Sequence, residues 1–259
     1  MMKRLGPFGL LFTVGLFVVI GSLSSRPVQV TAATAVATQP GTGTPGPAQS
    51  VKIKASDGLT IIGLFYPSAS SGPAAPSALL LHQINGSKAQ WQPLIPALLA
   101  EGYSVLAVDL RGFGETGGEI NWKRAEADVA TLLAWLRDQS GVNGDEIAII
   151  GASMGANLAL RGCAADTRCR VAVALSPGLD YFGLTTGDAI RKMSKKAPLL
   201  VASQIDTASA QGVTKLAEIA PGNVMIRVYD GGKHGVQLFD YDDLIPMIVQ
   251  WLRSYNRAS

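Results

Sequence analysis

"IIGASMGANLAL", residues 149–160, carries an apolar strand end, two glycines flanking Ser153 and the start of a helix within twelve residues. A strand that passes straight into a helix forces the residue between them into a strained conformation. Glycines two positions before and after, Gly151 and Gly155, let the neighbouring backbones approach without Cβ clashes. The serine hydroxyl is then held out at the sheet edge, beside a helix N-terminus. The same G-x-S-x-G pattern also occurs where a serine merely caps a helix. Which reading holds depends on whether the rest of the chain supplies partners for Ser153.

Outward from this turn the pattern alternates. Strand-like runs occur at "VKIKA", "LTIIGLFY", "SALLLHQ", "YSVLAVDL", "EIAIIGA", "RVAVALS", "APLLVAS" and "NVMIRVYD". The last six are short, continuous and apolar, as expected of strands covered on both faces. Helical stretches separate them: "WQPLIPALLAEG", "NWKRAEADVATLLAWLRDQSG", "MGANLALRGCAAD" and "TASAQGVTKLAEIA", with "DDLIPMIVQWLRS" last. In the second of these Ala125, Val129, Leu132, Leu133 and Leu136 share one stripe, with Lys123, Arg124, Glu126, Asp128 and Arg137 mostly elsewhere. The expected fold is α/β: a doubly wound, mostly parallel sheet of about eight strands with helices on both faces, led by an antiparallel pair.

The 259-residue chain is 47% hydrophobic, enough for a sizeable core. Setting aside Lys3, Arg4 and Arg26, which precede every acidic residue, leaves 19 basic residues against 19 acidic ones. A neutral body without a Lys/Arg run gives no basis for nucleic-acid binding. Residues 1–30 read as a signal peptide or membrane anchor: Lys3 and Arg4 precede the uncharged run "FGLLFTVGLFVVIG" and then small-residue cleavage patterns. Residues 31–50, "TAATAVATQPGTGTPGPAQS", hold no charge and read as a flexible linker, so that the folded domain is residues 51–259. The protein is expected to be exported, extracellular or in the cell envelope, touching a membrane only if the apolar segment is retained as an anchor. The two cysteines, Cys163 and Cys169, lack a neighbouring histidine and make no zinc site. They form either a disulfide, as an oxidising compartment permits, or two free thiols at the end of a buried helix.

Taken with its placement after the fifth strand, Gly151-Ala152-Ser153-Met154-Gly155 resembles the nucleophile turn of the α/β-hydrolase fold family. The resemblance covers nearly all of residues 51–259 and is nearest to small, lid-poor esterase-like and dienelactone-hydrolase-like members. Four further segments carry it. "LLLHQINGS" is similar to the oxyanion segment after the third strand and "VDLRGFGET" to an Asp-x-Arg-Gly-x-Gly turn. "LVASQIDTAS" is similar to the acid-bearing segment of strand seven, and "YDGGKHGVQLF" to the late histidine loop.

A serine hydroxyl is a weak nucleophile and needs a base. Of the two histidines, His234 lies in a glycine-rich loop before the last helix and is the expected base; His82 is expected to organise the oxyanion loop. Asp206, three residues past Ser203, is the expected acid, with Asp180 as the alternative and Asp230 a weaker third choice. The resemblance implies an oxyanion hole from the backbone N–H groups of Ile84 and Met154. Gln83 stands where the family more often has glycine, and a one-residue slip would make it the first donor. Asp109 and Arg111 are expected to tie down a turn. Trp91, Trp122, Tyr181 and Phe182 could line an acyl pocket or belong to the core.

The stretch between strands six and seven, "PGLDYFGLTTGDAIRKMSKKA", has room for one helix and a loop, which implies an open cleft. The resemblance thus implies a serine hydrolase with no metal or organic cofactor. Its substrate would be a small-molecule ester, cleaved as by a carboxylesterase. A peptidase, thioesterase or acyltransferase on the same residues, and a non-catalytic ligand-binding domain, are the alternatives.

Overall fold

A computed structural model describes residues 47–69 and 74–257. The leader reading, and most of the linker, lie outside these residues. The chain folds in the order β1 (Gln49–Lys54), β2 (Thr60–Tyr66), β3 (Ala75–Leu81), α1 (Ile95–Ala100), β4 (Ser104–Val108), α2 (Trp122–Arg137), β5 (Val142–Ala152), α3 (Met154–Ala165) and β6 (Cys169–Leu175). There follow β7 (Asp180–Tyr181), β8 (Leu184–Thr185), α4 (Gly187–Arg191), β9 (Ala197–Ser203), α5 (Thr207–Ile219), β10 (Met225–Tyr229) and α6 (Leu244–Tyr255). The first strand begins at Gln49, two residues before the expected domain boundary.

Eight strands form one sheet in the order β1-β2-β4-β3-β5-β6-β9-β10, with β2 antiparallel to both its neighbours and every other pairing parallel. Side chains alternate between two apolar layers. Leu79, Leu81, Ile147 and Ile149 face one, together with Val129 and Leu132 of α2 and Leu158 of α3. Ala78, Leu80, Ala148 and Ile150 face the other, with Leu98 of α1 and Ile248 and Leu252 of α6. Fully burying each of the larger aliphatic side chains contributes about 1.5–3 kcal/mol, and covering on both faces is what makes the central strands continuous apolar runs.

Asp128, among the charged residues of α2, is 3% exposed, and its carboxylate accepts from Arg111 Nε and Nη2 at 2.6 and 2.7 Å. A buried charge is tolerated only with such a partner. The stretch after β6 is not one helix and a loop; it holds the hairpin β7–β8 ahead of the short α4. Phe182 and Gly183 both have positive φ, 52° and 87°, the combination that closes a two-residue hairpin loop. Cys163 and Cys169 are joined by a disulfide across the α3–β6 connection.

The chain leaves β3 for β4 on one side and returns to β5 on the other. Connections that diverge in this way open a crevice at the carboxyl ends of β3 and β5, where open α/β sheets bind ligands.

Candidate active site

Ser153 stands in that crevice. It has φ 51° and ψ −114° and is 6% exposed. Its side chain makes no cap hydrogen bond to α3, so the helix-cap reading does not describe it. A non-glycine residue in this region costs about 1–3 kcal/mol and persists only where its surroundings impose it. Here they do. A Cβ on Gly151 would stand 2.0 Å from the carbonyl oxygen of Gly155, and one on Gly155 would stand 2.0 Å from that of Leu81. The first turn of α3 is therefore pressed against the end of β3, beside the segment that begins at His82.

That segment is braced from below. The Leu110 N–H donates to His82 Nε2 at 2.9 Å, so the ring proton sits on Nδ1, which donates to the Gln83 carbonyl at 2.7 Å. Burial pushes the His82 imidazole below the ordinary histidine range. Gly86 N–H also donates to the Gln83 carbonyl, closing a turn with Asn85 at φ 57°, the position of a type II turn that accepts Asn or Gly. Ile84 lies between them and is half-buried. Met154 opens α3, where the first N–H groups have no acceptor within the helix. Lys88 N–H and Nζ donate to Asp109 at 2.7 and 2.6 Å, and Glu115 N–H donates at 2.9 Å. Burial would push the Asp109 carboxyl up, but these donors hold it below the usual carboxylate range. Asp109 thus fastens the segment after β3 to the one after β4, and Arg111 ties the latter to Asp57 and Asp128.

His234 Nδ1 lies 2.7 Å from Asp206 Oδ2. A carboxylate only accepts, so Nδ1 carries the proton and Nε2 is left as the basic nitrogen. The Asp206 side chain is 14% exposed and that of His234 36%. Asp180 is exposed and accepts instead from the Gly183 N–H of its own hairpin at 2.7 Å. Asp230 is exposed, and its carbonyl accepts from the Tyr241 hydroxyl.

β10 is three strands from β5, so the histidine must travel back across the sheet edge to meet Ser153. It does so by steps. Ser203 Oγ at the end of β9 donates to the Lys233 carbonyl at 2.6 Å. Gly235 N–H donates to Ser176 Oγ, just past β6, at 2.9 Å. A Cβ on Gly235 would stand 3.6 Å from that of Ala152, the last residue of β5. Val236 N–H then donates to Gln83 Oε1, beyond β3, at 3.0 Å. The residues next to Ser153 and His234 in the chain thus lie side by side. Gln83, the departure from the family pattern, ties the histidine loop to the segment after β3.

The sequence reading missed Ser176 and Ser203 as supports; buried serines at successive strand ends were the available signal. Of the four aromatics weighed for a pocket, Trp91 is fully buried against Phe239. Tyr181 is a strut, with its hydroxyl 3.1 Å from Ser209 Oγ and donating to the Ser176 carbonyl at 3.4 Å. Trp122 and Phe182 stack on one another with ring centres 6.2 Å apart. A cleft of about 510 Å³ lies elsewhere, between α4, α5 and the hairpin. Among the described residues no group of three or more His, Cys, Asp or Glu is placed to hold a metal.

The model of the α/β hydrolase fold matches residues 76–239, more than half of the chain. The chain belongs to that family. It is 32% identical over 112 residues to an uncharacterised protein of Mycobacterium tuberculosis, covering 43% of this chain and 40% of that one. It is 29% identical over 168 residues to the polyketide transferase GrgF of a Penicillium species, covering 63% of this chain and 53% of that one. The matched region thus spans about half or less of these relatives' own length. Among solved structures, an esterase of Pyrococcus furiosus superposes with a TM-score of 0.71 at 22% identity, covering 82% of this chain and 92% of that one.

Proposed function

We propose that this α/β hydrolase is an exported serine hydrolase, a carboxylesterase acting on small-molecule esters. The observation that carries the reading is the His234–Asp206 bond on a loop packed beside the strained Ser153 turn. In this reading Ser153 Oγ attacks the ester carbonyl carbon while His234 Nε2 takes its proton. Asp206 fixes the tautomer and stabilises the imidazolium. The N–H groups of Met154 and Ile84 hold the oxyanion, as the start of α3 favours. Collapse expels the alcohol, protonated by His234, and leaves an acyl-Ser153. Water, deprotonated by the same imidazole, then releases the acid. Export is supported by the basic-then-apolar leader and by the Cys163–Cys169 disulfide, a bond at home in an oxidising compartment.

The test is a fluorophosphonate probe followed by a panel of p-nitrophenyl esters of increasing chain length. Labelling that disappears in Ser153→Ala, with ester turnover lost alongside, is expected; a folded wild type that resists labelling removes the proposal. Acyl transfer to another acceptor is a second reading, favoured by two fungal relatives named as polyketide transferases. Added alcohol or amine acceptors that divert most product from the free acid would favour it.

A further inference from the structure

We infer that the site accepts esters bearing a planar aromatic group, which stacks on the exposed face of Phe182. This rests on the hydrolase reading of Ser153 above.

Phe182 occupies a position that neither its backbone nor its side chain favours. It is the first central residue of the β7–β8 loop, with φ 52°. Hairpin turns with positive φ at both central residues favour Asn, Asp or Gly there, since a Cβ crowds the left-handed region. The ring is also 71% exposed. A conflict at both levels points to a use for the ring outside folding.

The ring ends a ladder that starts at the crevice. His82 meets Phe113 edge-on with centres 5.5 Å apart. Phe113 stacks on Trp122 at 5.9 Å and 29°, and Trp122 on Phe182 at 6.2 Å and 27°. The hairpin that carries Phe182 is fixed to α3, the helix that Ser153 opens: Asn157 Nδ2 donates to the Leu184 carbonyl at 2.7 Å, and Gly178 N–H donates to Asn157 Oδ1 at 3.0 Å. Arg161 of α3 donates to the Thr185 carbonyl at 2.7 Å. The hairpin is thus fixed to α3 and, through the Tyr181 hydroxyl on the Ser176 carbonyl, to the carboxyl end of β6 next to β5, with a face of its last ring open. Near-parallel rings extend by a further planar ring, because offset stacking adds to the area buried. A flexible alkyl chain gains burial there but no stacking geometry.

The test compares KM across variants for two matched pairs: methyl 2-naphthoate against methyl decanoate, and 2-naphthyl acetate against decyl acetate. Phe182→Asn suits the turn and keeps the hairpin, Phe182→Leu keeps apolar area without a plane, and Phe182→Tyr keeps the ring. KM for a naphthyl member should rise roughly two- to tenfold in Asn and Leu, as loss of one aromatic contact implies. The tyrosine variant should hold near wild type, and the decyl members should move less. Equal changes for naphthyl and decyl members, or none, in an enzyme that labels at Ser153 would overturn the inference and leave the hydrolase reading standing. A wild type that fails to label would instead bring down the reading beneath it.

Discussion

The Gly235 N–H donates to the buried hydroxyl of Ser176 at 2.9 Å, linking residues 59 positions apart and setting the histidine loop over the end of β6. Ser176 is itself left-handed, with φ 55°. Ser176→Gly keeps that backbone accessible and removes only the acceptor. The buried N–H left behind should cost about 1–3 kcal/mol of stability. Displacement of His234 should lower kcat/KM on an ester by roughly tenfold to a hundredfold. Thermal unfolding and steady-state kinetics on one preparation check both, and an unchanged kcat/KM would show that Ser203 and Gln83 suffice to hold the loop.

The strain at Ser153 makes a prediction about stability alone. Ser153→Gly should be more stable than Ser153→Ala by about 1–2 kcal/mol, because glycine enters positive φ without a Cβ penalty. Denaturant titration of the two variants measures the difference; equal midpoints would mean the turn is not strained. Gly155→Ala should fail to fold or lose several kcal/mol, its methyl meeting the Leu81 carbonyl.

Asp206→Asn should retain the fold and lose about four orders of magnitude in turnover. An amide can donate to Nδ1 and so favours the tautomer with its proton on Nε2, which cannot act as base. Asp180→Asn should leave turnover nearly intact, since that carboxylate serves its own hairpin. Reversal of the two outcomes in the ester assay would move the acid role to Asp180.

His82 predicts a pH dependence of stability. Its folded-state pKa lies below the ordinary histidine value of 6.5, chiefly through burial. As pH falls through about 6.5 the unfolded chain takes up a proton that the folded state refuses. Stability should therefore be full above this range and decline below it, by up to about 1.4 kcal/mol per pH unit from this one group. Urea titrations between pH 4.5 and 8 on wild type and His82→Gln should differ in that acid slope; identical slopes would refute the assignment.

The Cys163–Cys169 bridge closes a loop of six residues' separation. Its removal in Cys163→Ala/Cys169→Ala should cost about 2 kcal/mol by the loop-entropy relation. Thermal unfolding of the double variant and of reduced wild type should agree.

Much of this was legible in the chain because it is local. Continuous apolar runs marked the buried strands, the stripe Ala125–Val129–Leu132–Leu133–Leu136 marked the inner face of α2, and Gly151 and Gly155 marked a turn in which a Cβ has no room. The burial of Asp128 was not legible, because it depends on Arg111, seventeen residues away, and helical periodicity carries no record of such a partner. The hairpin at Asp180–Thr185 was missed because Phe182 is not a residue that such a turn selects.

The sequence by itself determined the order of the eight sheet strands and the longer helices between them, the strained serine and the candidates to accompany it, since backbone sterics and apolar periodicity act over a few neighbouring residues. Only the tertiary structure decided that Asp206 rather than Asp180 meets His234, and that Ser203, Ser176 and Gln83 carry the loop back from β10 towards β3. Those choices are hydrogen bonds between residues distant in the chain. The strand order of the folded sheet sets which of them come within reach.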